Sequence, residues 1–240
     1  MKNLIILGDS LACPRPWEGV GSMNTYASII QQELKGDVHV QNLAYGDRCS
    51  ADYITESFVK TYVKSANARY VILQLGIVDC APRLLTTLER AVGYLARKSK
   101  FSNSIFNYYI RWKSKHRMFF TKWFPMTRVK IKSYEYNMKK IIENFSENNN
   151  VENFFVINIA YPGDGLINKS FGIVQNIENY NSVLNTISLT SGGKVKVIDL
   201  YSKTRANKSL VTVDDGHHIK TEAHCWIAES ILHSISDVSE

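Results

Sequence analysis

Short apolar segments alternate along most of the chain with longer segments of helical periodicity. The first apolar segment runs from Lys2 to Leu7 and ends at Gly8, and a continuous run of this length is typical of a strand covered on both faces of a parallel sheet. From Asn24 to Lys35, apolar residues recur at spacings of three and four, the pattern of a helix with one apolar face. The chain therefore opens with a strand followed by a helix.

The same alternation continues to the end of the sequence. Further strands are predicted near Val38 to Leu43, Tyr70 to Leu75, Phe154 to Ile159 and Val195 to Leu200, and further helices near Ala51 to Lys64, Tyr134 to Phe145, Val174 to Leu189 and Thr221 to Ile235. Five strands alternating with helices indicate an α/β fold with a mostly parallel sheet, in one domain over residues 1–240. Ligands of such folds bind beyond the carboxyl ends of the strands. We expect Ser10, Gly46, Asp79 and the loop after Leu200 to meet there.

The segment between the third strand and the helix at Tyr134 is too long for an ordinary loop of this fold, which takes about 2 to 6 residues. Its aromatic and apolar residues recur at spacings of three or four, so we predict an inserted helical cap over about residues 83–132. From Arg97 to Lys132 there are eleven basic residues and no acidic one, a charge of +11, whereas the rest of the chain carries −4. The net charge of +7 is therefore a local property of this segment.

Aromatic and basic side chains are mixed in this cap, and three interpretations are open. The aromatic rings could pack on the sheet while the basic groups are solvated. The segment from Arg97 to Lys132 could lie on an anionic membrane surface. It could also form a lid that grips an acidic or lipid-linked glycan near Ser10. No nucleic-acid recognition motif accompanies the charge, so we expect no nucleic-acid partner.

The apolar segments also bear on location. None approaches the roughly 20 apolar residues that span a bilayer, and the first is too short for a secretory signal. We therefore expect a cytoplasmic protein, with peripheral contact at the inner face of the membrane as an option through the cap. The four cysteines lack Cys-x-x-Cys spacing, so we expect free thiols and no zinc or redox motif.

Ser10 follows the first strand directly, where its hydroxyl would be exposed at the ligand edge of the sheet. A serine hydroxyl is a weak nucleophile unless a base activates it. Near the other end of the chain, Asp215 and His218 lie three residues apart, as do Asp214 and His217. A carboxylate this close can fix the tautomer of an imidazole and stabilise its charged form. Spacing alone does not rank the two pairs.

Four motifs resemble the four blocks of the SGNH, or GDSL, hydrolase superfamily in order and approximate spacing: "LGDSL", "NLAYGD", "QLGIVD" and "DDGHH". The resemblance covers the chain except the cap, and it implies a three-layer α/β/α sandwich of flavodoxin-like topology. It also implies Ser10 as nucleophile, His218 as general base and Asp215 as its orienting partner, with the main-chain amides of Ser10 and Gly46 stabilising the oxyanion. A turn of positive φ explains Gly46 equally well. No metal or organic cofactor is implied.

The third motif departs from the family pattern of Gly-x-Asn-Asp, because Val78 stands where the Asn would be. Valine has no hydrogen-bond donor, and the loss of one oxyanion donor typically costs about 10²–10³ in rate. Arg48 and Arg83 are candidate replacements in the oxyanion or substrate site. Asp79 is a further candidate there, with hydrogen bonding of the site loops as its favoured role.

These observations predict an SGNH-type serine esterase or acyltransferase that acts on an acyl ester, above all an O-acetyl ester, of a carbohydrate. The continuation "DCAPR" resembles members from bacterial surface-polysaccharide biosynthesis regions, which suggests that setting. One alternative is a lipid-directed esterase at a membrane surface. Another, raised by Val78, is a non-catalytic glycan-binding protein on a hydrolase frame. Hydrolysis and acyl transfer use the same residues, so the sequence does not separate them.

Overall fold

A five-stranded parallel sheet forms the centre of the structure, a computed structural model that describes residues 2–34, 36, 38–212 and 215–236. The strands are β1 (Lys2–Gly8), β2 (Val38–Asn42), β3 (Ala68–Gln74), β4 (Asn153–Ile157) and β5 (Val195–Ile198). They lie in the order β2-β1-β3-β4-β5, and every neighbouring pair is parallel. The direction of winding reverses between β1 and β3, so the carboxyl ends of these two strands border the expected ligand crevice.

Helices flank the sheet and complete the predicted α/β/α architecture. The α-helices are α1 (Tyr26–Glu33), α2 (Glu56–Phe58), α3 (Ile77–Cys80), α4 (Thr87–Ala96), α5 (Lys100–Lys115), α6 (Arg117–Trp123), α7 (Ile131–Asn148), α8 (Asp164–Ile167), α9 (Ile173–Thr190), α10 (Leu200–Ala206) and α11 (Thr221–Ser236). None of the helices in the described ranges is both long and apolar enough to cross a membrane. The side chains of β1 from Leu4 to Leu7 are fully buried, which explains the uninterrupted apolar run at the start of the sequence.

Two element boundaries differ from the predictions. The segment Ala51 to Lys64 is a 3₁₀ turn (Ser50–Ile54), then α2, then a π-helical turn (Val59–Val63), because Thr55 is extended (φ −66°, ψ 144°) and interrupts the helix. The last strand ends at Ile198 instead of Leu200, because Asp199 accepts a hydrogen bond from the Ser202 amide (3.1 Å) and starts α10. Both breaks depend on capping interactions of single side chains.

The inserted segment after β3 contains three helices, α4, α5 and α6. Most of its aromatic rings are exposed instead of packed on the sheet, among them Phe101 (76% exposed), Tyr108 (75%) and Trp123 (63%). Of the eleven basic residues from Arg97 to Lys132, eight are exposed and three are not, namely Lys113, Arg117 and Arg128. The cap therefore presents a surface that is both apolar and basic.

Candidate active site

Ser10 lies on a tight turn immediately after β1. Asp9 caps this turn, since its Oδ1 accepts a hydrogen bond from the Leu11 amide (2.9 Å). A Cβ on Gly8 would lie 3.0 Å from the Cβ of Ala12, so the glycine lets the chain fold back closely on itself. The turn places the Ser10 hydroxyl at the carboxyl end of β1, as the sequence predicted.

His218 reaches Ser10 from near the other end of the chain. The Ser10 Oγ lies 2.8 Å from His218 Nε2, and His218 Nδ1 is hydrogen bonded to Asp215 Oδ2. Burial raises the pKa of the Asp215 carboxyl, but hydrogen bonds from His218 and from Thr212 Oγ1 (2.6 Å) outweigh burial and hold that pKa well below its usual range. Asp215 therefore stays ionised and can stabilise a protonated imidazole. Asp214, from the alternative pair, lies outside the described residues.

A glycine fixes the loop that carries Asp215 and His218. Gly216 has a φ of +70°, and a Cβ there would lie 2.9 Å from the Leu166 amide nitrogen and 3.1 Å from the Gly163 carbonyl oxygen. The Gly163 amide donates to the Gly216 carbonyl (2.7 Å). Any side chain at this position would push the loop away from α8, so the Gly between the Asp and the two His residues of "DDGHH" has a steric cause.

A cleft of ≈280 Å³ opens beside Ser10. Its lining residues are Ser10, Asp47, Ile77, Val78, Ala81, Arg83, Arg117, Leu166 and His217. His217 stacks near His218, with ring centroids 4.1 Å apart, and burial together with the charge of His218 lowers the pKa of His217. Sequence analysis did not place Asp47 or Arg117 in the site, and it named His217 only in the alternative pair with Asp214. Arg117 is one of eleven similar basic residues, and nothing in its spacing distinguishes it.

The resemblance implies the main-chain amides of Ser10 and Gly46 as oxyanion donors. Neither the Ser10 nor the Gly46 amide donates a hydrogen bond within the described part of the chain. The positive φ suggested for Gly46 belongs instead to Asp47 (φ 60°), and a Cβ on Gly46 would meet no atom within 4 Å. Gly46 therefore leaves open space beside its amide. The Val78 side chain lines the cleft and offers no donor.

Of the other predicted site residues, Arg83 lines the cleft, whereas Arg48 and Asp79 do not. Arg83 lines the cleft, and its Nη2 donates to the Val78 carbonyl (2.6 Å). Arg48 lines a different cleft beside Tyr45 and pairs with Asp52 (3.5 Å), so it does not replace the missing donor. Asp79 is fully buried and accepts hydrogen bonds from the amide (3.0 Å) and hydroxyl (2.6 Å) of Ser50. It positions the loop after β2 and does not line the cleft.

Asp215, His217 and His218 each offer a ligand atom within 4.8 Å of the others, close enough for a metal ion. Both ring nitrogens of His218 already have partners, however, because Nε2 faces Ser10 and Nδ1 faces Asp215. A metal bound to His218 would break one of these contacts. The geometry favours a hydrogen-bonded Ser-His-Asp triad.

The fold matches the α/β/α fold of solved SGNH hydrolases, and the Ser-His-Asp arrangement lies at the carboxyl end of β1. Similar solved structures include a lipase/acylhydrolase from Enterococcus faecalis, which is 12% identical with a TM-score of 0.65, covering 98% of this chain and 95% of that one. A member of the lipolytic G-D-S-L family from Veillonella parvula is 15% identical with a TM-score of 0.60 and 97% coverage of each chain. An acetylxylan esterase from Geobacillus stearothermophilus is 13% identical with a TM-score of 0.60, covering 98% and 94%.

Sequence comparison adds nothing to this structural likeness. No protein-family model matches the sequence, and no curated protein matches it. At 12–15% identity, the solved structures establish the shared fold.

Proposed function

We propose that this chain is an SGNH-type serine esterase or acyltransferase acting on an acyl ester of a carbohydrate. The observation that carries the proposal is the 2.8 Å contact between Ser10 Oγ and His218 Nε2, with Asp215 hydrogen bonded to the other ring nitrogen. A hydroxyl, an imidazole and a carboxylate that contact one another in this order form the catalytic triad of a serine hydrolase. The proposed catalytic residues are therefore Ser10, His218 and Asp215.

The geometry supports a two-step reaction. His218 Nε2 accepts the Ser10 proton as Oγ attacks the ester carbonyl, and the resulting imidazolium is stabilised by Asp215. The oxyanion accepts hydrogen bonds from the amides of Ser10 and Gly46. His218 then gives its proton to the departing sugar oxygen, which leaves Ser10 acylated. Water or a second hydroxyl, deprotonated by His218, attacks the acyl group and releases Ser10.

An O-acetyl ester of a sugar is the proposed substrate. Two observations support it: the acetylxylan esterase among the structural neighbours, and the open cleft, which leaves room for a sugar beside Ser10. The "DCAPR" resemblance supports a role in surface-polysaccharide biosynthesis. The four free cysteines favour a reducing compartment, so we place the reaction in the cytoplasm.

The cap is the reason to keep a lipid-directed esterase as a second candidate. Its exposed rings and its eight exposed basic residues are the combination that binds an anionic membrane surface. In this version the cap contacts the inner face of the membrane and brings the cleft to an acyl chain. Both candidates use the same triad and differ in the substrate.

Labelling with a fluorophosphonate probe tests the triad. We expect the folded protein to be labelled and to hydrolyse p-nitrophenyl acetate, and we expect Ser10→Ala to lose both. Ser209→Ala, at an exposed serine outside the cleft, is the matched control and should behave as wild type. If the folded wild type is not labelled, the non-catalytic glycan-binding interpretation replaces the enzyme.

Turnover of acetylated sugars compared with long-chain acyl esters separates the two substrate candidates. Preference for the acetylated sugars supports the carbohydrate esterase, and preference for the long-chain esters supports the lipid-directed one.

A further inference from the structure

Two arginine side chains face the cleft that contains Ser10. Arg83 follows α3, and Arg117 begins α6 in the cap. Arg83 Nη2 donates to the Val78 carbonyl (2.6 Å), while Arg117 donates through Nε to Ser170 Oγ (2.7 Å) and through Nη2 to the Pro82 carbonyl (2.8 Å). Because these bonds fix the planar guanidinium groups, both are oriented before any ligand arrives.

The carboxylates near this pair do not balance its charge. Among the described residues, no carboxylate oxygen lies within 4.0 Å of Arg117, and Arg83 has Asp47 at that limiting distance. Asp47 is closer to Arg128, at 2.9 Å. Arg83 Nε is itself buried, without a hydrogen-bond partner among the described residues. An excess of positive charge therefore faces the cleft.

Burial makes this arrangement costly without an anion. Desolvation lowers the pKa of both arginines, and the charge of Arg83 lowers the pKa of Arg117 further. Two guanidinium groups that repel each other in a partly desolvated cleft gain most from a ligand of opposite charge. Arginine is also the side chain best suited to hold a carboxylate or a phosphate through two parallel hydrogen bonds.

We infer that Arg83 and Arg117 bind an anionic group of the substrate while an ester of the same molecule reaches Ser10. Since the arginines and Ser10 line one cleft of ≈280 Å³, the anion and the ester belong to one sugar or to adjacent sugars. The anion is the carboxylate of an acidic sugar or the phosphate of a phosphorylated one. The ester rests on the proposed function, whereas the anion site rests on the two arginines.

Equilibrium binding tests the anion site without any chemistry. Ser10→Ala protein is titrated with glucuronate, glucose 1-phosphate and glucose. We expect at least one of the anions to bind about tenfold to a hundredfold more tightly than glucose, the gain of one or two charge-assisted hydrogen bonds. Preference for glucuronate identifies a carboxylate, and preference for glucose 1-phosphate identifies a phosphate.

Variants of the two arginines locate the effect. Arg117→Gln in the same background should abolish the preference for the anion, and Arg117→Lys should recover part of it, because lysine keeps the charge but not the fork. Arg83 also holds the Val78 loop, so Arg83→Lys is tested beside Arg83→Gln, with the thermal midpoint as a folding check. Arg205→Gln, at an exposed arginine on α10, is the control and should keep the preference.

Equal affinity for the three compounds, or no binding of any of them, would overturn the inference. So would an equal loss of preference in the Arg205 control. Absence of Ser10 labelling with anion binding intact would reject the proposed enzyme and leave the anion site standing. Labelling of Ser10 without a preference for either anion would support the proposed enzyme and reject the anion site.

Discussion

Asp9 stands beside the candidate nucleophile, but its carboxyl group faces the interior. It is fully buried, and its Oδ2 has no hydrogen-bond partner within the described chain, as is also true of the side-chain amide of Gln74. Both residues line a small, partly open pocket of ≈20 Å³, room for about one water molecule. Burial raises the pKa of Asp9 to about 8. The group is therefore protonated at neutral pH.

This buried acid predicts a pH dependence of stability. The unfolded chain releases the Asp9 proton near its ordinary pKa of 3.8, whereas the folded chain retains it up to about pH 8. Because the folded state binds the extra proton between these values, the free energy of unfolding falls by up to about 1.4 kcal/mol per pH unit as pH rises.

Asp9→Asn keeps the acceptor for Leu11 and removes the titration. Relative to wild type, the variant should gain up to about 4 kcal/mol between pH 5 and pH 8. Urea denaturation at the two pH values measures this difference. Asp164→Asn, at an exposed carboxylate, should show no such gain, and a flat difference for Asp9→Asn would contradict the protonated state.

At the scale of single residues, the sequence predicted a site residue where both its chemistry and its position in a motif pointed to the same role. Ser10 was predicted from its place after an apolar strand, and Asp215 with His218 was favoured over Asp214 with His217 by the family resemblance; the structure brings Ser10, His218 and Asp215 together. Arg117 could not be singled out, because its position in the cleft depends on how the cap docks on Ser170. Arg48 was misplaced for a different reason, because closeness in sequence to Gly46 does not specify the direction of a side chain.

At the scale of elements, one ionic cluster joins the cap helices. Glu89 on α4 accepts hydrogen bonds from Lys113 Nζ (2.6 Å) and Tyr109 on α5, and it also accepts from the Thr86 amide (2.7 Å). Burial raises the pKa of Glu89, but these bonds outweigh burial and lower the pKa to about 2. The Lys113 side chain is 7% exposed, so it would be left nearly buried without its partner.

Glu89→Gln should therefore loosen α4 from α5. We expect a local loss of about 1–3 kcal/mol at pH 7, below the cost for a fully buried pair, because Glu89 is partly exposed. The stabilisation by Glu89 is present above about pH 4.5 and is lost as pH falls towards 2, so the variant and wild type should converge in acid. Hydrogen exchange of the α4 and α5 amides measures the change.

A surface ion pair provides the comparison. Glu135→Gln removes the exposed pair with Lys139 on α7 and should cost less than about 0.5 kcal/mol. Equal effects of the Glu89 and Glu135 variants would show that the cluster does not hold the cap together.

The elements of the sheet were largely predictable. The central strands β1, β3 and β4 are buried on both faces and leave continuous apolar runs, whereas the edge strands β2 and β5 are only partly buried and followed from the alternation of strands and helices. The irregular segment from Ser50 to Val63 did not, since its apolar residues keep helical spacing while Thr55 breaks the backbone. Periodicity reports which side chains face inward, and it is insensitive to a short change of helix type.

At the scale of the whole molecule, positive charge and exposed rings are concentrated on the cap. The sequence predicted the charge, but not that Lys113 and Arg117 would turn inward while Arg111, Lys115 and Lys122 stay exposed. This division separates the basic groups available to a membrane from those that serve the cap and the cleft.

Vesicle sedimentation tests the proposed membrane contact. We expect the protein to sediment with vesicles containing anionic lipid and less so with neutral vesicles or at high salt. Replacing Arg111, Lys115 and Lys122 together by Gln should weaken binding by about fivefold for each charge, from about 1 kcal/mol per basic residue at the surface. The control triple variant of Lys60, Lys194 and Lys203, exposed outside the cap, should bind as wild type. An equal loss of vesicle binding in both triple variants would indicate that binding depends on the net charge of the protein and not on the cap.

The 208 residues that separate Ser10 from His218 also set an order of events during protein synthesis. At about 5–20 residues per second, a ribosome adds His218 roughly 10–40 s after Ser10. During that interval the nascent chain carries a serine with no imidazole to activate it. Under the proposed mechanism, a chain truncated before His218 would lack the general base, although all five strands precede that residue.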